Sequence, residues 1–442
     1  MIRVIHRTIW RFISLLIAGL LSAAAVGAII MLPRHNTAAQ EKSPQPKSGQ
    51  CPACKLMEDH YVNIPYFAES GGMASTLSLN NNMKEATTVK ITIFNSKGES
   101  FQLPPVALPG ERITRLNLKD LAKEARGDFG SGNIQIYYRG PAMGVTSQVS
   151  IVSIKQRLSF ESMAAEAAMF ASNRLNGIVW VPDDLTQASV ALTNVASSVL
   201  TVTATSGLES NKKVKAIKLE PRETLVLDLR EFVDARRTVF RAALVSLEHG
   251  GAPGDLLTTG FALNEKTGFS CSLTFIDPAT IKSTRLAGAH LRFGRANDKE
   301  GLPSGTIFRA PLLLANVSDA PTDARVSVDY TIESTPNRIE LDPVTLAAQE
   351  VREIDLAKEM ERRGVSGSVE NAGVDINYNS AAGSVIGRLT SFDASGDLCF
   401  EVPIKDPLSG MNRVGGSYPW RLDQGYTSVL HLKNTIGETV YA

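Results

Sequence analysis

Two cysteines at a spacing that supports redox or metal chemistry lie near the start of the chain, in Cys51-Pro-Ala-Cys54. Such a pair can form a redox disulfide, hold a metal or attach haem. Haem attachment requires a histidine directly after the second cysteine, where this chain has Lys55, and a zinc site requires a second ligand pair, of which only His60 is near. A thioredoxin-like site requires a strand-to-helix setting. We therefore predict a local disulfide between Cys51 and Cys54 in a linker, with catalytic redox chemistry as the alternative.

Other residue types that support catalysis or metal binding do not form a recognisable motif. The chain has six histidines, and no G-x-S-x-G turn, phosphate-binding loop or H-E-x-x-H helix accompanies them. Asp183-Asp184 and the stretch 297–301 carry oxygen ligands, but neither has the alternating acidic spacing of a calcium loop. We interpret both as solvated loops, and we predict no catalytic, cofactor-binding or metal-binding residue.

The N-terminal residues indicate export. The first eleven residues contain only basic charges, and the following run, Phe12–Leu32, carries no charge at all. At about 1.5 Å per residue the run reaches roughly 30 Å, which is enough to cross a bilayer. Small residues also precede a cleavage point after Ala39. Residues 1–39 are therefore predicted to be a signal peptide or a membrane anchor, and residues 40–62 a linker.

Length and composition describe a folded protein with several cores. The chain has 442 residues, of which 43% are hydrophobic and 21% charged, and a length of this size suits about three domains of roughly 150 residues each. Lys and Arg together number 46 against 45 Asp and Glu. Because nucleic-acid binding depends on clustered positive charge, this near-neutral balance excludes nucleic acid as the expected partner.

A recurring order of short motifs divides the rest of the chain into repeats. Each repeat opens with an aromatic residue and a proline, followed by an alternating strand that ends in asparagine. The aromatic and proline starts are Tyr66 with Pro65, Trp180 with Pro182, Phe308 with Pro311, and Trp420 with Pro419. The asparagines are Asn81, Asn194, Asn316 and Asn434. We therefore predict β-sandwich repeats at 63–160, 177–278 and 305–406.

The fourth unit, 407–442, is predicted to be only the start of a repeat. It lacks most of the strands of a sandwich and would expose unpaired strand edges. We expect it to be a truncated product or fragment. The alternative is that it completes a sheet in another molecule by strand addition.

A second marker follows in the first three repeats. It is a turn that contains glutamate, followed by a triplet of an apolar residue, then Asn or Asp, then leucine. The polar residues of this triplet are Asn117, Asp228 and Asp355. Each can cap a short helix, and Glu231, three residues after Asp228, can complete a capping box. We therefore predict helix caps at these positions rather than catalytic acids.

The hydrophobic pattern predicts the fold class. Within each repeat, apolar and polar residues alternate, as in Val89-Lys-Ile91 and Val326-Ser-Val328. Alternation with period two is typical of half-buried antiparallel strands, and about seven short strands per 100 residues suit a two-layer sandwich. The predicted fold is all-β, with tandem antiparallel β-sandwich repeats and one N-terminal hydrophobic helix.

The order of these motifs resembles the immunoglobulin-like or fibronectin-type-III-like β-sandwich repeats of bacterial exported proteins. The resemblance covers about residues 63–442. It implies a role in spacing, adhesion or protein contact, and it carries over no functional residue. Because the Cys, Trp and Cys set of true immunoglobulin domains is absent, the strand topology stays open.

The remaining cysteines and the tryptophans of the repeats have structural interpretations. Cys271 and Cys399 occupy matching places near the last strand of the second and third repeats. Since these are separate domains, we expect buried free thiols, with intermolecular pairing as the alternative in an oxidising compartment. Trp180 and Trp420 stand at the shared aromatic position of a repeat start, which favours core packing over sugar stacking.

These features predict a non-catalytic exported scaffold or interaction protein of the cell envelope or surface, whose β-sandwich modules serve spacing or adhesion. The alternatives are a carbohydrate-binding accessory module and an envelope thiol-redox protein that uses Cys51 and Cys54. The expected partner is a protein or a surface glycan, and Phe12–Leu32 contacts the membrane if it is not cleaved. The predicted location is the periplasm, the cell surface or the medium, and the oligomeric state stays open.

Overall fold

The computed structural model describes residues 57–125, 127–207, 212–233, 242–296, 304–332, 335–365, 367–393, 398–402 and 404–410. The predicted signal or anchor, Cys51, Cys54 and the fourth aromatic start lie outside these residues. Within them nearly every regular element is an antiparallel strand, so the all-β prediction is confirmed. None of the helices among these residues could span a bilayer.

The first sandwich consists of two sheets packed face to face. Its strands are β1 (Glu58–Ala68), β2 (Ala74–Asn81), β3 (Thr87–Asn95), β4 (Ser100–Gln102), β5 (Val106–Leu108), β6 (Arg112–Asn117), β7 (Ser131–Gly140), β8 (Val145–Ser153) and β9 (Leu158–Met163), and the helix α1 (Leu118–Ala122) follows β6. One sheet has the order β1-β7-β3-β4, with β5 on β3, and the other has the order β6-β2-β8-β9. Ile91 and Ile134 of one sheet and Leu77 and Val149 of the other are fully buried in one core.

The second sandwich has the same main pairings as the first. Its strands are β10 (Arg174–Trp180), β11 (Gln187–Asn194), β12 (Leu200–Ser206), β13 (Lys213–Leu219), β14 (Thr224–Asp228), β15 (Ala242–His249), β16 (Leu256–Asn264), β17 (Phe269–Leu273) and β18 (Phe275–Ile276). The sheet orders are β13-β12-β15-β10-β18 and β14-β11-β16-β17, with β13 in place of β4 and β5 and a further short strand, β18, on β10. Single 3₁₀ turns occupy Ala167–Met169, Arg230–Phe232, Pro278–Thr280 and Pro407–Gly410.

In the third sandwich the two sheets are joined along one side. Its elements are β19 (Arg285–Arg295), β20 (Ile307–Arg309), β21 (Pro311–Asn316), β22 (Thr322–Ile332), β23 (Thr335–Glu340), β24 (Val344–Leu346), β25 (Val351–Asp355), α2 (Leu356–Arg362), β26 (Val369–Tyr378), β27 (Val385–Asp393), β28 (Cys399–Val402) and β29 (Ile404–Lys405). β20 pairs with both β19 and β27, which produces one sheet of 11 strands.

Irregularities in β19 explain how one strand reaches both sheets. Its pairing with β26 shifts register between Ala289 and Phe293, and His290 and Gly294 have positive φ angles of 67° and 82°. Bulges of this kind bend a strand and increase its twist. The span of 305–406 that we predict from the aromatic marker begins after β19, because that marker lies on β20 and β21 in this sandwich.

Two central strand pairings are the same as in an immunoglobulin domain, in which the second strand pairs with the fifth and the third strand pairs with the sixth. The second sandwich has both pairings, β11 with β14 and β12 with β15. Its seventh strand, β16, pairs with the second strand, β11, whereas in an immunoglobulin constant domain the seventh strand pairs with the sixth. The chain therefore crosses from one sheet to the other between β15 and β16.

The asparagines that end β2, β11 and β21 have the same role in the three sandwiches. Asn81, Asn194 and Asn316 are fully buried. Each side chain accepts a hydrogen bond at Oδ1 from the amide two residues later, at 2.9–3.0 Å. Its Nδ2 donates to the carbonyl four residues later, at 2.7–2.8 Å. One buried side-chain amide thus bonds both an amide and a carbonyl of the following loop, and so closes that loop. This contact explains why asparagine recurs at the position.

Two of the predicted helix caps are confirmed. Asn117 accepts a hydrogen bond from the amide of Lys119 at 3.0 Å at the start of α1. Asp355 accepts from the amide of Lys358 at 3.2 Å at the start of α2. These polar residues therefore satisfy the first amides of the two helices.

The predicted capping box of Asp228 and Glu231 is wrong. The segment forms only a single 3₁₀ turn, Arg230–Phe232, which begins after Leu229 rather than after Asp228, so Glu231 is not the third residue of a helix that Asp228 caps. Asp228 accepts from the amide of Arg230 at 2.9 Å. Glu231 instead binds the ammonium group of Lys215 at 2.6 Å, which links the turn to β13.

Candidate functional site

The first and second sandwiches are packed directly against each other. The rings of Tyr66 and Phe160, from the first sandwich, stack on Phe261 of the second, with 4.5 Å between the centroids of Phe160 and Phe261. The hydroxyls of Ser162 and Thr259 form a hydrogen bond of 2.7 Å across the same contact. Buried aromatic rings together with a buried hydrogen bond fix the relative orientation of two modules, so we define this contact as the first joint.

The second joint, between the second and third sandwiches, also has an aromatic centre. The ring centroid of Trp180 lies 5.0 Å from that of Phe392 and 6.4 Å from that of Phe269. Trp180 is only 5% exposed, so its predicted role in core packing is confirmed. Trp420, the other tryptophan weighed as a sugar platform, lies outside the described residues.

The two cysteines that we expected to be free thiols are bonded to each other. Cys271 in β17 and Cys399 in β28 form a disulfide with 5.6 Å between their Cα atoms, so that expectation is wrong. The cysteines are 128 residues apart in the chain, but β17 and β28 lie next to each other across the second joint. The covalent bond therefore connects two sandwiches.

A buried ion pair lies beside this disulfide. Arg388 on β27 is 5% exposed and donates from Nη2 to the carbonyl of Ser272 at 2.7 Å and to Cys271 Sγ at 3.3 Å. Its Nη1 lies 3.5 Å from Glu401 Oε1, which accepts from Thr274 Oγ1 at 3.0 Å. Burial raises the pKa of Glu401 and lowers that of Arg388, and their mutual attraction opposes both shifts. Polar contacts from both sandwiches thus hold the second joint.

A cleft of about 280 Å³ opens at the second joint. One wall is the segment 180–184 that follows β10, and the other includes Arg309, Glu353 and Phe392 of the third sandwich. The sequence drew attention to Trp180 and to Asp183-Asp184 for separate reasons. It gave no reason to connect them with Arg309 or Glu353, because those residues come more than a hundred positions later.

The acidic side chains of the cleft differ in the contacts that they make. Asp183 accepts at Oδ1 from two amides of its own loop at 2.8 and 2.7 Å, and Asp355 caps α2. Partial burial, and then the nearby carboxylate of Asp355, raise the pKa of Glu353. The cleft therefore offers a carboxyl group of raised pKa next to the guanidinium of Arg309, which suits a polar or cationic group of a partner.

The described part of the chain contains no cluster of metal-ligating side chains. In those residues, histidine, cysteine, aspartate and glutamate side chains do not come together in any group of three that could hold a metal ion. Cys51 and Cys54 lie outside the described residues, so their predicted disulfide stays a prediction.

The first sandwich contains a titratable group that the sequence analysis did not single out. Burial raises the pKa of Glu161, on β9, to about 7, and the hydrogen bond from Ser150 opposes this shift. Ser150 Oγ lies 2.9 Å from both carboxylate oxygens of Glu161. No spacing or composition marks this residue in the sequence, since its pKa depends on the strand beside it and on the depth of burial.

Glu161 is expected to make the stability of the first sandwich fall as the pH rises from about 4.5 to about 7. Its folded pKa of about 7 lies above its ordinary value of 4.5, so the folded state holds the proton more tightly and loses stability as that proton leaves. Replacing Glu161 with glutamine should remove this fall and stabilise the protein at pH 8 by about 2 kcal/mol, after allowance for partial solvent exposure.

Urea unfolding at pH 5 and pH 8 measures this effect. The exposed Glu85→Gln variant is the matched control and should keep the wild-type difference between the two pH values. Equal stabilities of wild type and Glu161→Gln at pH 8 would show that the buried carboxyl group carries no such cost.

The chain was compared with protein families, curated proteins and solved structures. No protein-family model, curated protein or solved structure gives a significant match to this chain.

Proposed function

We propose that this chain is an exported, non-catalytic scaffold of the cell envelope or surface, in which tandem repeats of an immunoglobulin-like kind hold a protein-binding surface at a fixed position. The observation that carries the proposal is the construction of the second joint. There Cys271 and Cys399 connect two sandwiches covalently, and Trp180 packs against Phe392. A chain built to space or present a surface benefits from modules that do not move relative to one another.

Two independent features support export. The basic N-terminal residues and the uncharged run Phe12–Leu32 have the pattern of a signal peptide or membrane anchor. Disulfides form and persist in oxidising compartments such as the periplasm and the cell surface. A bond between Cys271 and Cys399 fits such a location better than it fits the cytoplasm.

The cleft of the second joint supports a protein partner. Its volume of about 280 Å³ lies near the lower limit of small-molecule pockets, and it suits one side chain of a partner. Glu353 and Asp184 give it acidic character next to Arg309. A lysine or arginine side chain of the partner, flanked by a hydrogen-bond acceptor for Arg309, matches this arrangement.

The carbohydrate-binding alternative requires aromatic rings that are exposed and coplanar. Trp180 borders the cleft but is 5% exposed, which leaves little ring surface for a sugar. Tyr61 is 55% exposed and lies beside Tyr137, but the two rings are inclined by 49°. These arrangements favour protein contact over glycan contact.

The proposal predicts where the full-length protein is found. When it is expressed with its native N-terminus in a Gram-negative host, we expect it in the periplasmic or membrane fraction, with the Cys271–Cys399 bond formed. Intact mass and thiol counting by alkylation measure both properties. A mass that begins at Gln40 indicates a released protein, and a full-length chain in the membrane fraction indicates an anchored one.

The outcome against the proposal is an uncut, soluble chain in the cytoplasm with all thiols reduced. The partner class has its own measurement, because binding to envelope glycans that disappears in the Arg309→Gln variant would favour the carbohydrate alternative. Binding to envelope proteins that is lost in the same variant, with glycan binding absent, supports the proposal.

A further inference from the structure

The two sulfurs of the disulfide at the second joint have different surroundings. Cys271 is 3% exposed and lies in β17. Cys399 is partly exposed and lies in β28, which among the described residues pairs with β27 alone, at the edge of its sheet. A thiol that approaches from solvent therefore reaches Cys399 before it reaches Cys271.

A positive charge stands beside the buried sulfur. Arg388 donates from Nη2 to Cys271 Sγ at 3.3 Å and is anchored by the carbonyl of Ser272 at 2.7 Å. A guanidinium next to sulfur favours the thiolate over the thiol. The Glu401 carboxylate, 3.5 Å from the other end of this guanidinium, reduces this effect, and Lys405 faces the same cavity.

A small cavity lies beside Arg388 and Glu401. It has a volume of about 80 Å³, and isoleucine and valine side chains line it together with Asn176, Arg388, Glu401 and Lys405. Within the described residues, Arg388 Nε and both polar side-chain atoms of the fully buried Asn176 make no hydrogen bond. Water in this cavity would bond these polar atoms beside Arg388 and Glu401. Cys271 does not line the cavity, so the group that stabilises its thiolate is the Arg388 guanidinium.

We propose that Cys271–Cys399 is an exchangeable disulfide, in which Cys399 is a site of S-thiolation and Cys271 leaves as a thiolate held by Arg388. The co-reactant is a low-molecular-weight or protein thiol. Its thiolate donates an electron pair to Cys399 Sγ, the bond between the two cysteines breaks, and both electrons of that bond remain on Cys271 Sγ. The products are a mixed disulfide at Cys399 and one thiolate, so no further oxidant or reductant takes part. The exchange removes the covalent link between the second and third sandwiches.

The direction of exchange can be read from a labelling experiment on the full-length oxidised protein. We would treat it with glutathione at pH 8 without oxygen, quench with N-ethylmaleimide and map the peptides. We expect glutathione on Cys399 and maleimide on Cys271 in most singly opened molecules. Cys51 and Cys54 lie on a separate peptide and are quantified there. Glutathione on Cys271, or a disulfide that stays closed at millimolar glutathione, would overturn the proposal.

The role of Arg388 in stabilising the leaving thiolate of Cys271 has a separate test. The double variant Arg388→Gln/Glu401→Gln leaves neither charge buried without its partner. We expect its exchange with glutathione to be about three- to tenfold slower, the change produced by a rise of about one to two units in the pKa of the leaving thiol. A wild-type rate in a variant whose near-ultraviolet circular dichroism is preserved would contradict the role.

Wild-type protein provides the measurement that remains if this variant does not fold. In the reduced chain, the pKa of the Cys271 thiol should lie below that of Cys399, as determined from the pH dependence of alkylation at each peptide. A higher pKa at Cys271 than at Cys399 would exclude it as the preferred leaving group.

Discussion

Replacement of both Cys271 and Cys399 by serine is expected to lower the free energy of unfolding by about 3–5 kcal/mol. The disulfide closes a loop of 128 residues, and a cross-link of that length removes much of the conformational freedom of the unfolded chain. Serine also places a hydroxyl group at a position where Cys271 is 3% exposed. Equilibrium unfolding in urea, followed by circular dichroism, measures the loss.

A matched control isolates the disulfide from the substitutions. In the Cys51→Ser/Cys54→Ser variant, Cys271 and Cys399 are the remaining cysteines, so dithiothreitol acts on the joint alone. Dithiothreitol should lower the urea midpoint of this variant. The decrease should be about as large as the decrease that the serine replacements at 271 and 399 cause in the wild type. If those replacements leave the midpoint of the wild type unchanged, the second joint draws no stability from the bond.

Replacement of Asn194 by alanine is expected to lower the free energy of unfolding by about 3 kcal/mol, since several hydrogen bonds of one buried side-chain amide are lost at once. The side chain is fully buried. Its Nδ2 donates to the carbonyls of Ser198 at 2.8 Å and Glu220 at 3.0 Å, and its Oδ1 accepts from the amide of Ala196 at 2.9 Å. The carbonyl of Ser198 and the amide of Ala196 lose this partner, whereas the carbonyl of Glu220 keeps the amide of Glu223 at 3.1 Å. The second sandwich should therefore unfold at a lower urea concentration.

Two further variants locate the origin of this effect. Asn316→Ala removes the equivalent contacts in the third sandwich and should cost a similar amount. Asn117→Ala removes only an exposed helix cap and should cost about 1 kcal/mol or less. Equal effects of Asn194→Ala and Asn117→Ala would show that burial of the amide is not what matters.

The features that could be predicted from the sequence all depend on contacts within a few tens of residues. Period-two alternation marks strands because successive side chains point to opposite faces of a sheet. Asn81, Asn194 and Asn316 recur because each closes the loop that follows it, through a bond to the amide two residues later. Asn117 and Asp355 were recognisable as helix caps because a cap bonds to an amide two or three residues ahead. Asp228 also bonds an amide two residues ahead, but the predicted capping box with Glu231 failed because the segment forms only a single 3₁₀ turn.

The candidate site could be predicted only in fragments. Trp180 and the Asp183-Asp184 pair stood out as residues, but their neighbours in the cleft, Arg309 and Glu353, come from the next sandwich. The raised pKa of Glu161 depends on burial, which no local pattern encodes. Contacts of this kind follow from the way in which two separately folded surfaces meet.

The sequence by itself therefore determined the strand class, the repeating markers and the pattern expected of an exported chain, because each follows from local chemistry. Only the tertiary structure decided that Cys271 bonds to Cys399, that β20 joins the two sheets of the third sandwich, and that a cleft exists at the second joint. Cys271 and Cys399 have matching positions in two repeats, and this pattern predicts that each lies in its own domain, away from the other. Packing of β17 against β28 brought them together, and the relative placement of two modules is a property of their surfaces rather than of either sequence alone.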